Sequence, residues 1–590
     1  MNFSAISHTD ADVYAADRDE AVVLIKTGKD VTAVSLVCDD PYAGGSMGAL
    51  PWSGGAKPMQ KKWALRDHDV WMLAVRPPYK RLQYYFEIAA GEERCFLFED
   101  GFYPPERAFA PGRMPQYYRL PWMNETDIAR VPQWPQDTIW YQIFPDRFCR
   151  GSDEKKRMKL RRWDDVRNIR PWDFYGGDLR GVIGKLGYLH DLGVTGVYLT
   201  PVQLSDSNHK YNIFDYHQVD PDFGTNEEMR ELVEKAHALG MRVMVDAVFN
   251  HCGLQFAPWQ DVIKHGKASR YADWFFLNSE EGLDDERGTE DGRYYSFAFV
   301  RYMPKLNTGN PEVQQYLIDV CLRWIREWDV DGIRFDVGNE VSHAFLKEMR
   351  RQLKAVKPDL FLLGEIWHNA LPWMRGDEYD AVMHYPFVQS LQNFWVDADA
   401  TSLDFMYAMN RCLSMYPVQM EKTLFTFLDT HDIARARTRC ANEDVFYQQL
   451  LLLLTLPGSP SLYYGTEIAM EGGNDPDNRR TMPWKQIDAG RFDGEMQQLR
   501  QLIALRKAYP QLRGTELRFV HDEKHLRLIC VERGAQAEEA LIVMINAGET
   551  AAPLPGGKPV YARKAQDGWL LPGGAAILTR TAAKGDGHEE

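Results

Sequence analysis

The chain has no pair of cysteines at CxxC spacing; its eight cysteines stand alone at 38, 95, 149, 252, 321, 412, 440 and 530. That argues against a zinc cluster or a dithiol redox site and fits free thiols in a reducing compartment. No stretch approaches the roughly 20 apolar residues that cross a bilayer, since the longest apolar run is 450–456. The acidic first 20 residues lack the apolar centre of a signal peptide, so a cytoplasmic protein with no membrane partner is expected. Basic blocks are missing too. Acidic residues outnumber basic ones 84 to 69, the formal charge is -15, and the one basic run, 155–162, is short and interrupted. A nucleic-acid partner is therefore not expected. Neither HxH nor HExxH spacing, nor a glycine-rich phosphate cradle, occurs. A substrate of sugar hydroxyls without phosphate fits that last absence.

Aromatic residues are what the chain has in abundance, with 17 Trp and 28 Tyr. Planar rings of this kind stack on sugars. With 590 residues the chain exceeds one hydrophobic core and predicts three or more domains. Residues 1–124 read as short strands (21–25, 33–37, 62–66, 70–75, 82–89 and 94–99) between Asp, Gly and Pro turns, which predicts an amino-terminal β-sandwich. A proline-bearing linker follows at 121–135.

From 137 onward strands and helices alternate. Strands are expected at 138–144, 196–199, 242–245, 332–335, 360–363, 381–384, 423–428 and 461–464. Helices fall between them, including 227–239 with Leu232, Ala236 and Leu239 on one face, and 316–328 and 345–355. Eight such units give an α/β fold, a (β/α)8 TIM barrel over 125–505. The connection after the third strand is too long for a plain loop, and 250–305 is assigned to an inserted subdomain. Strands return over 506–582, predicting a carboxyl-terminal antiparallel β-sandwich, and 583–590 reads as a disordered tail.

Four strands end in chemistry. The third runs into Asp246-Ala247-Val248-Phe249-Asn250-His251, the fourth carries Arg334 and Asp336, the fifth gives Glu365, and the seventh gives Asp429-Thr430-His431-Asp432. Buried carboxylates without a shared purpose are costly, so their convergence at the carboxyl end of a barrel points to catalysis. A carboxylate pair about 5 Å apart performs retaining glycoside hydrolysis. Arg334, on the same strand face as Asp336, would hold it ionised as a nucleophile. The apolar neighbours of Glu365 would raise it into the range of a general acid, and Asp432, His431 and His251 would grip sugar hydroxyls. Blander readings stand beside these: His251 as a core histidine bonded to Asp246, Asn250 as a cap, or a metal hydrolase built on Asp246, Asp336, Glu365 and Asp432.

With these segments on the page, and with Met303-Pro304-Lys305-Leu306-Asn307, Asn208-His209-Lys210-Tyr211 and Asn478-Arg479-Arg480 beside them, the chain resembles the α-amylase superfamily of glycoside hydrolases. Within it the motifs are most similar to the cyclomaltodextrinase, neopullulanase and maltogenic amylase group. The resemblance implies Asp336 as nucleophile, Glu365 as acid/base and Asp432 as transition-state stabiliser. It implies substrate contacts from His209, Tyr211, His251, Arg334 and His431, with Asn339, Glu340 and Trp367 on the aglycone side. It further implies cleavage of α-1,4 bonds in cyclomaltodextrins, maltooligosaccharides, starch fragments and pullulan, giving maltose and glucose or panose, with transglycosylation. A homodimer in which the amino-terminal domain covers the partner's barrel is the implied partner.

The chain departs from this group in two places. Many relatives carry an Asn-Gly-Asp calcium loop at the position of 148–153, where Arg150 and Ser152 replace ligands, so a hard cation is disfavoured and no cofactor is expected. Asn250 is the remaining weak candidate for a calcium ligand. Ser342 stands where the group has an Asp. A superfamily transferase or isomerase, or a silent sugar-binding protein, are the competing functions.

Overall fold

The structure, a computed structural model, describes residues 1–43, 52–151, 156–536 and 539–580. Ser152 and the tail at 583–590 lie outside the described residues. The chain divides into two units, one of residues 1–130 with 400–421 and one of 131–399 with 422–590.

The first unit is built of two antiparallel sheets. One orders Val13–Ala15, Ala21–Gly28, His68–Val75 and Gln60–Ala64; the other has Gly55–Pro58, Ala33–Asp39, Leu82–Ala90, Glu93–Phe98 and Gly101–Tyr103, with Tyr118–Leu120 also on Leu82–Ala90. Alternation drives the fold: Val23, Ile25, Leu36, Trp71, Phe86 and Leu97 meet in one core, as expected of strands whose successive side chains face opposite ways. A helix from far along the chain, Ser402–Leu413, joins this unit. Asn410 Nδ2 donates to Ala64 O at 2.9 Å and Arg66 pairs with Asp404 at 2.8 Å. It falls within the 125–505 stretch expected to form the barrel and is assigned to the first unit instead, because a distant packing partner leaves no local mark.

The second unit holds eight parallel strands, here β1 Trp140–Ile143, β2 Gly196–Leu199, β3 Arg242–Ala247, β4 Gly332–Phe335, β5 Phe361–Gly364, β6 Ala381–Val382, β7 Phe425–Phe427 and β8 Ser459–Tyr463. Their order is β6-β5-β4-β3-β2-β1-β8-β7. A parallel bridge from Met383 to Phe425 joins the two ends and closes the barrel. Strands buried on both faces read as continuous apolar runs, which is why 243–245 and 361–363 stood out. Trp140, Tyr198, Met244, Phe361, Leu363, Met383, Phe425 and Phe427 fill the interior, so the barrel is a packed core with its chemistry at one end.

The helices obey their caps. Asn226–Ala238 starts at a capping box of Thr225 and Glu228. Leu239, expected on its buried face, lies one residue past the helix end and is 37% exposed. Pro311–Trp328 starts at Asn310, and Asp329 ends it in a left-handed conformation. Between β3 and that helix, residues 250–305 contain one α-helix, Ala257–His265, three 3-10 turns and short bridged segments. The carboxyl-terminal strands, Leu517–Val520 to Trp569–Thr579, form an antiparallel sheet of six hydrogen-bonded strands. No helix among the described residues is long and apolar enough to cross a membrane.

Candidate active site

Arg334 is the centre of the site. On β4 it sits in register with Asp246 of β3 and Leu363 of β5, and it is fully buried. Nη1 donates to both oxygens of Asp246, at 2.9 and 3.0 Å, and to Asp336 Oδ1 at 2.9 Å. Nη2 lies 2.8 Å from Glu365 Oε2. Asp246 also accepts from Tyr198 Oη at 2.7 Å and Tyr211 Oη at 2.9 Å, so it is saturated. Among the described residues the Asp336 carboxylate has only Arg334. Asp432, more open than these, lies 3.2 Å from His431 Nε2 and 3.8 Å from Arg479 Nη2.

Burial pushes the Asp336 carboxyl well above the usual range; Arg334 opposes this, while Glu365, Asp246 and Asp432 reinforce it. Burial likewise raises Asp246 against Arg334, and raises Asp432 against Arg479 and Arg334. The expectation that Arg334 simply keeps Asp336 charged is therefore corrected. One guanidinium shared among three carboxylates orients Asp336 without fully compensating it. The apolar setting expected around Glu365 is corrected as well. Its Oε2 accepts the Val337 amide at 3.0 Å beside Arg334, and its Oε1 accepts from Trp367 Nε1 at 3.2 Å. Val337 donates that bond from a left-handed backbone, φ 47°, a conformation that costs a β-branched residue of order 1–3 kcal/mol and is typical of functional sites.

The histidines are neutral spacers. Burial, then Arg479, pushes His431 far below its usual value. With Gln142 Nε2 donating to its Nδ1 at 2.8 Å, its proton stands on Nε2, between Tyr211 Oη at 2.7 Å and Asp432 Oδ1 at 3.2 Å. His251 is pushed down to about 3 by burial and by Lys305. It bonds Tyr211 O at 3.1 Å and Asn250 Nδ2 at 3.3 Å, so the reading of a core histidine held by Asp246 is corrected. His209 Nδ1 accepts the Tyr211 amide at 3.0 Å, and burial, then Arg479, lowers it too. Tyr211 thus joins His209, His251, His431 and Asp246.

The residues expected on the aglycone side are spread out. Trp367 lies on Tyr385, ring centroids 3.9 Å apart, and remains 44% exposed. Glu340 is exposed and paired with Lys305 Nζ at 2.8 Å. Asn339 lies in the short turn Gly338–Glu340 that follows Asp336, and its side chain makes no hydrogen bond among the described residues. Sequence reasoning gave no role to Tyr198, Tyr385, Gln142 or Lys305. Only carboxylates and imidazoles were sought at strand ends, although Tyr198 lies within β2 and Tyr385 three residues beyond β6.

Among the described residues, the oxygens of Asn250 and Asp178 already have cationic partners. Asn250 Oδ1 accepts from the Lys305 ammonium, so it caps nothing and faces a cation that the chain itself supplies. Arg150 donates to Tyr175 O at 2.6 Å. Lys156 Nζ lies 2.8 Å from Asp178 Oδ2 and 2.9 Å from Asp222 O. Among the described residues no group of three His, Cys, Asp or Glu side chains could hold a metal, and these residues do not fit calcium.

A closed barrel with carboxylates converging at its strand ends is the frame of a glycoside hydrolase. Residues 142–513 match the family described as alpha amylase, catalytic domain, and residues 1–123 match alpha amylase, N-terminal ig-like domain. The chain belongs to the alpha-amylase family. It is 42% identical over 575 residues to a cyclomaltodextrinase of Geobacillus thermopakistaniensis, covering 95% of this chain and 94% of that protein. It is 41% identical over 519 residues to an intracellular maltogenic amylase of Bacillus subtilis, covering 86% and 84%. A solved cyclomaltodextrinase superposes with a TM-score of 0.88 at 34% identity, covering 98% of this chain and all of that one.

Proposed function

We propose that the protein is a retaining hydrolase of α-1,4-glucosidic bonds in cyclomaltodextrins, maltooligosaccharides, starch fragments and pullulan, with transglycosylation as a side reaction. The observation that carries this reading is the sharing of Arg334 by Asp246, Asp336 and Glu365. Asp336, least saturated of the three, attacks the anomeric carbon. Glu365 delivers a proton to the departing glycosidic oxygen, leaving a covalent glycosyl-enzyme. Water then attacks that carbon, gives its proton to Glu365 and releases Asp336. A carboxylate crowded by others is stabilised most when positive charge develops on the sugar, which is when catalysis needs it. Asp432 and the Nε2–H of His431 bind ring hydroxyls, Tyr211 stacks on the reacting ring, and Trp367 and Glu340 border the leaving side. The names of the relatives, cyclomaltodextrinase and maltogenic amylase, agree with this substrate class.

The protein works without a divalent cation, Lys156 and Lys305 serving as internal counter-ions. It acts as a homodimer in the cytoplasm. Phe109, Met114 and Trp122 on the amino-terminal unit are exposed apolar side chains of the kind a second copy would cover, and the free cysteines suit a reducing compartment. Product analysis on β-cyclodextrin, pullulan and starch tests the activity. Linear products released as the α-anomer support it, whereas inverted anomers or purely isomerised sugars overturn it. Sedimentation that finds only monomer removes the dimer.

A further inference from the structure

A cavity of about 1220 Å³ opens beside His209 and is lined by 158–161, 165, 167–168, 170–174, 206–207, 209, 212, 254 and 301–302. His209 and Asn212, on either side of Tyr211 in the chain, line it, so it adjoins the site. The cavity has a built frame. Asn208 Nδ2 donates to Pro171 O at 2.7 Å and to Asp173 O at 2.9 Å, and Arg147 Nη2 donates to Asp173 O at 2.7 Å. Exposed Trp172 and Tyr302 supply faces on which sugar rings stack.

Its charge runs against that of the protein. In a chain of formal charge -15, the lining brings five cations, Lys159, Arg161, Arg167, Arg170 and Arg301, against the carboxylates of Asp165, Asp173 and Asp206. Arg161 takes up two of these acids, pairing with Asp173 at 2.6 Å and Asp165 at 2.8 Å. Asp206 accepts from Asn212 Nδ2 at 2.6 Å. Lys159, Arg167, Arg170 and Arg301 are left with no ion pair among the described residues. A sphere of this volume is about 13 Å across, so a ligand at its centre lies within about a Debye length of every wall residue. A neutral glucan can accept hydrogen bonds from these cations but leaves their charge uncompensated.

We propose that this cavity receives an α-glucan carrying a phosphate monoester on a glucosyl ring, the sugar stacking on Trp172 and Tyr302 and the phosphate lying among Arg167, Arg170, Arg301 and Lys159. Guanidinium groups bind phosphate oxygens in pairs, so no glycine-rich loop is needed. The inference rests on the α-glucan reading above and narrows its substrate.

The test compares kcat/KM for maltotetraose with that for maltotetraose bearing a 6-phosphate on its non-reducing glucose. The wild type favours the phosphorylated sugar by about tenfold at low salt, and the preference shrinks as ionic strength rises. In Arg167→Gln/Arg301→Gln the ratio of the two values falls toward one, whatever happens to the neutral sugar. Equal values in the wild type, or a preference untouched by the double substitution, overturn the proposal. So does an equal gain from a tetrasaccharide ending in glucuronate, which would show a reader of charge rather than of phosphate. If neither sugar is cleaved, the α-glucan reading falls instead, and calorimetric binding of the two sugars still decides this one.

Discussion

The barrel unit holds two clusters of buried acids that are compensated in opposite ways. Asp178, Asp220 and Asp222 meet three cations: Lys156 at 2.8 Å from Asp178, Arg157 at 2.5 Å from Asp220 and 3.0 Å from Asp222, and Lys210 at 2.9 Å from Asp220. Backbone amides of Gly151, Gly181, Ser205 and Arg157 fill the remaining lone pairs. Around Arg334 the count fails. Asp246, Asp336 and Glu365 share Arg334, while Asp432 stands 3.8 Å from Arg479. A charge-matched cluster can only hold loops in place, whereas an under-matched one keeps a carboxylate whose free energy improves when a positive centre arrives. The difference between scaffold and chemistry lies in the pairing, since the residue types are the same.

The largest effect should come from removing the under-matched acid. Asp336→Asn keeps the shape and the Arg334 contact but cannot form a glycosyl bond, so kcat on a cyclic maltodextrin should fall by about 10⁴-fold or more, as for other nucleophile deletions. Turnover near that of the wild type would leave Asp336 a structural acid like Asp220. Next comes the matched cluster. Lys156→Met strands Asp178 without its cation and should cost about 3–5 kcal/mol of stability, the usual penalty for breaking a buried pair. Denaturant unfolding measures it, and the folded fraction should still turn over substrate. A loss below about 0.5 kcal/mol, as at a surface pair, would mean that the two clusters are not different in kind.

A subtler contrast lies in pH. Asp336 has its folded-state value raised well above the ordinary 3.8, so between the two values the folded protein holds a proton that the unfolded chain has already released, and above the folded value it is ionised, the form that attacks. Its contribution to stability is complete below about pH 4 and is lost as pH rises through the folded value. Asp336→Asn should therefore melt higher than the wild type at pH 7, and the gain should vanish toward pH 4. Melting curves of both proteins across that range decide it; a gain that grows on acidification would reverse the sign and put Asp336 among the fully paired acids.

The fold could be read from the chain because parallel strands buried on both faces are apolar runs. The expected 332–335 coincides with β4, and 360–363 is offset by one residue from β5. The short β6, two residues against four expected, shows the limit: Met383 makes a single bridge, to Phe425, and His384 leads into the helix Tyr385–Val396, although both are as buried as a strand. In the site, Asp246 and Arg334 were legible because register places them side by side. What supports them was hidden. Gln142 sets the His431 tautomer from 289 residues away, and Lys305 reaches Asn250 across 55. Such partners are fixed by tertiary closure, which no local pattern encodes.

The smallest expected effect is that of a chelator, and it probes the matched cluster directly. A divalent cation bound among oxygen ligands would need Asp178 or Asn250 free. The Lys156 ammonium is seated against Asp178 and the Asp222 carbonyl, with Lys156 itself nearly buried at 7% side-chain exposure; Lys305 bridges Asn250 and Glu340 in the same way. An ammonium fixed by the chain cannot be drawn away by a chelating agent. Activity and melting temperature should accordingly be unchanged by EDTA or by added calcium. In Lys156→Met, where the oxygens are released, added calcium should recover part of the lost melting temperature. A fall in wild-type activity under EDTA, reversed by calcium, would show that the acids around Lys156 are under-matched after all.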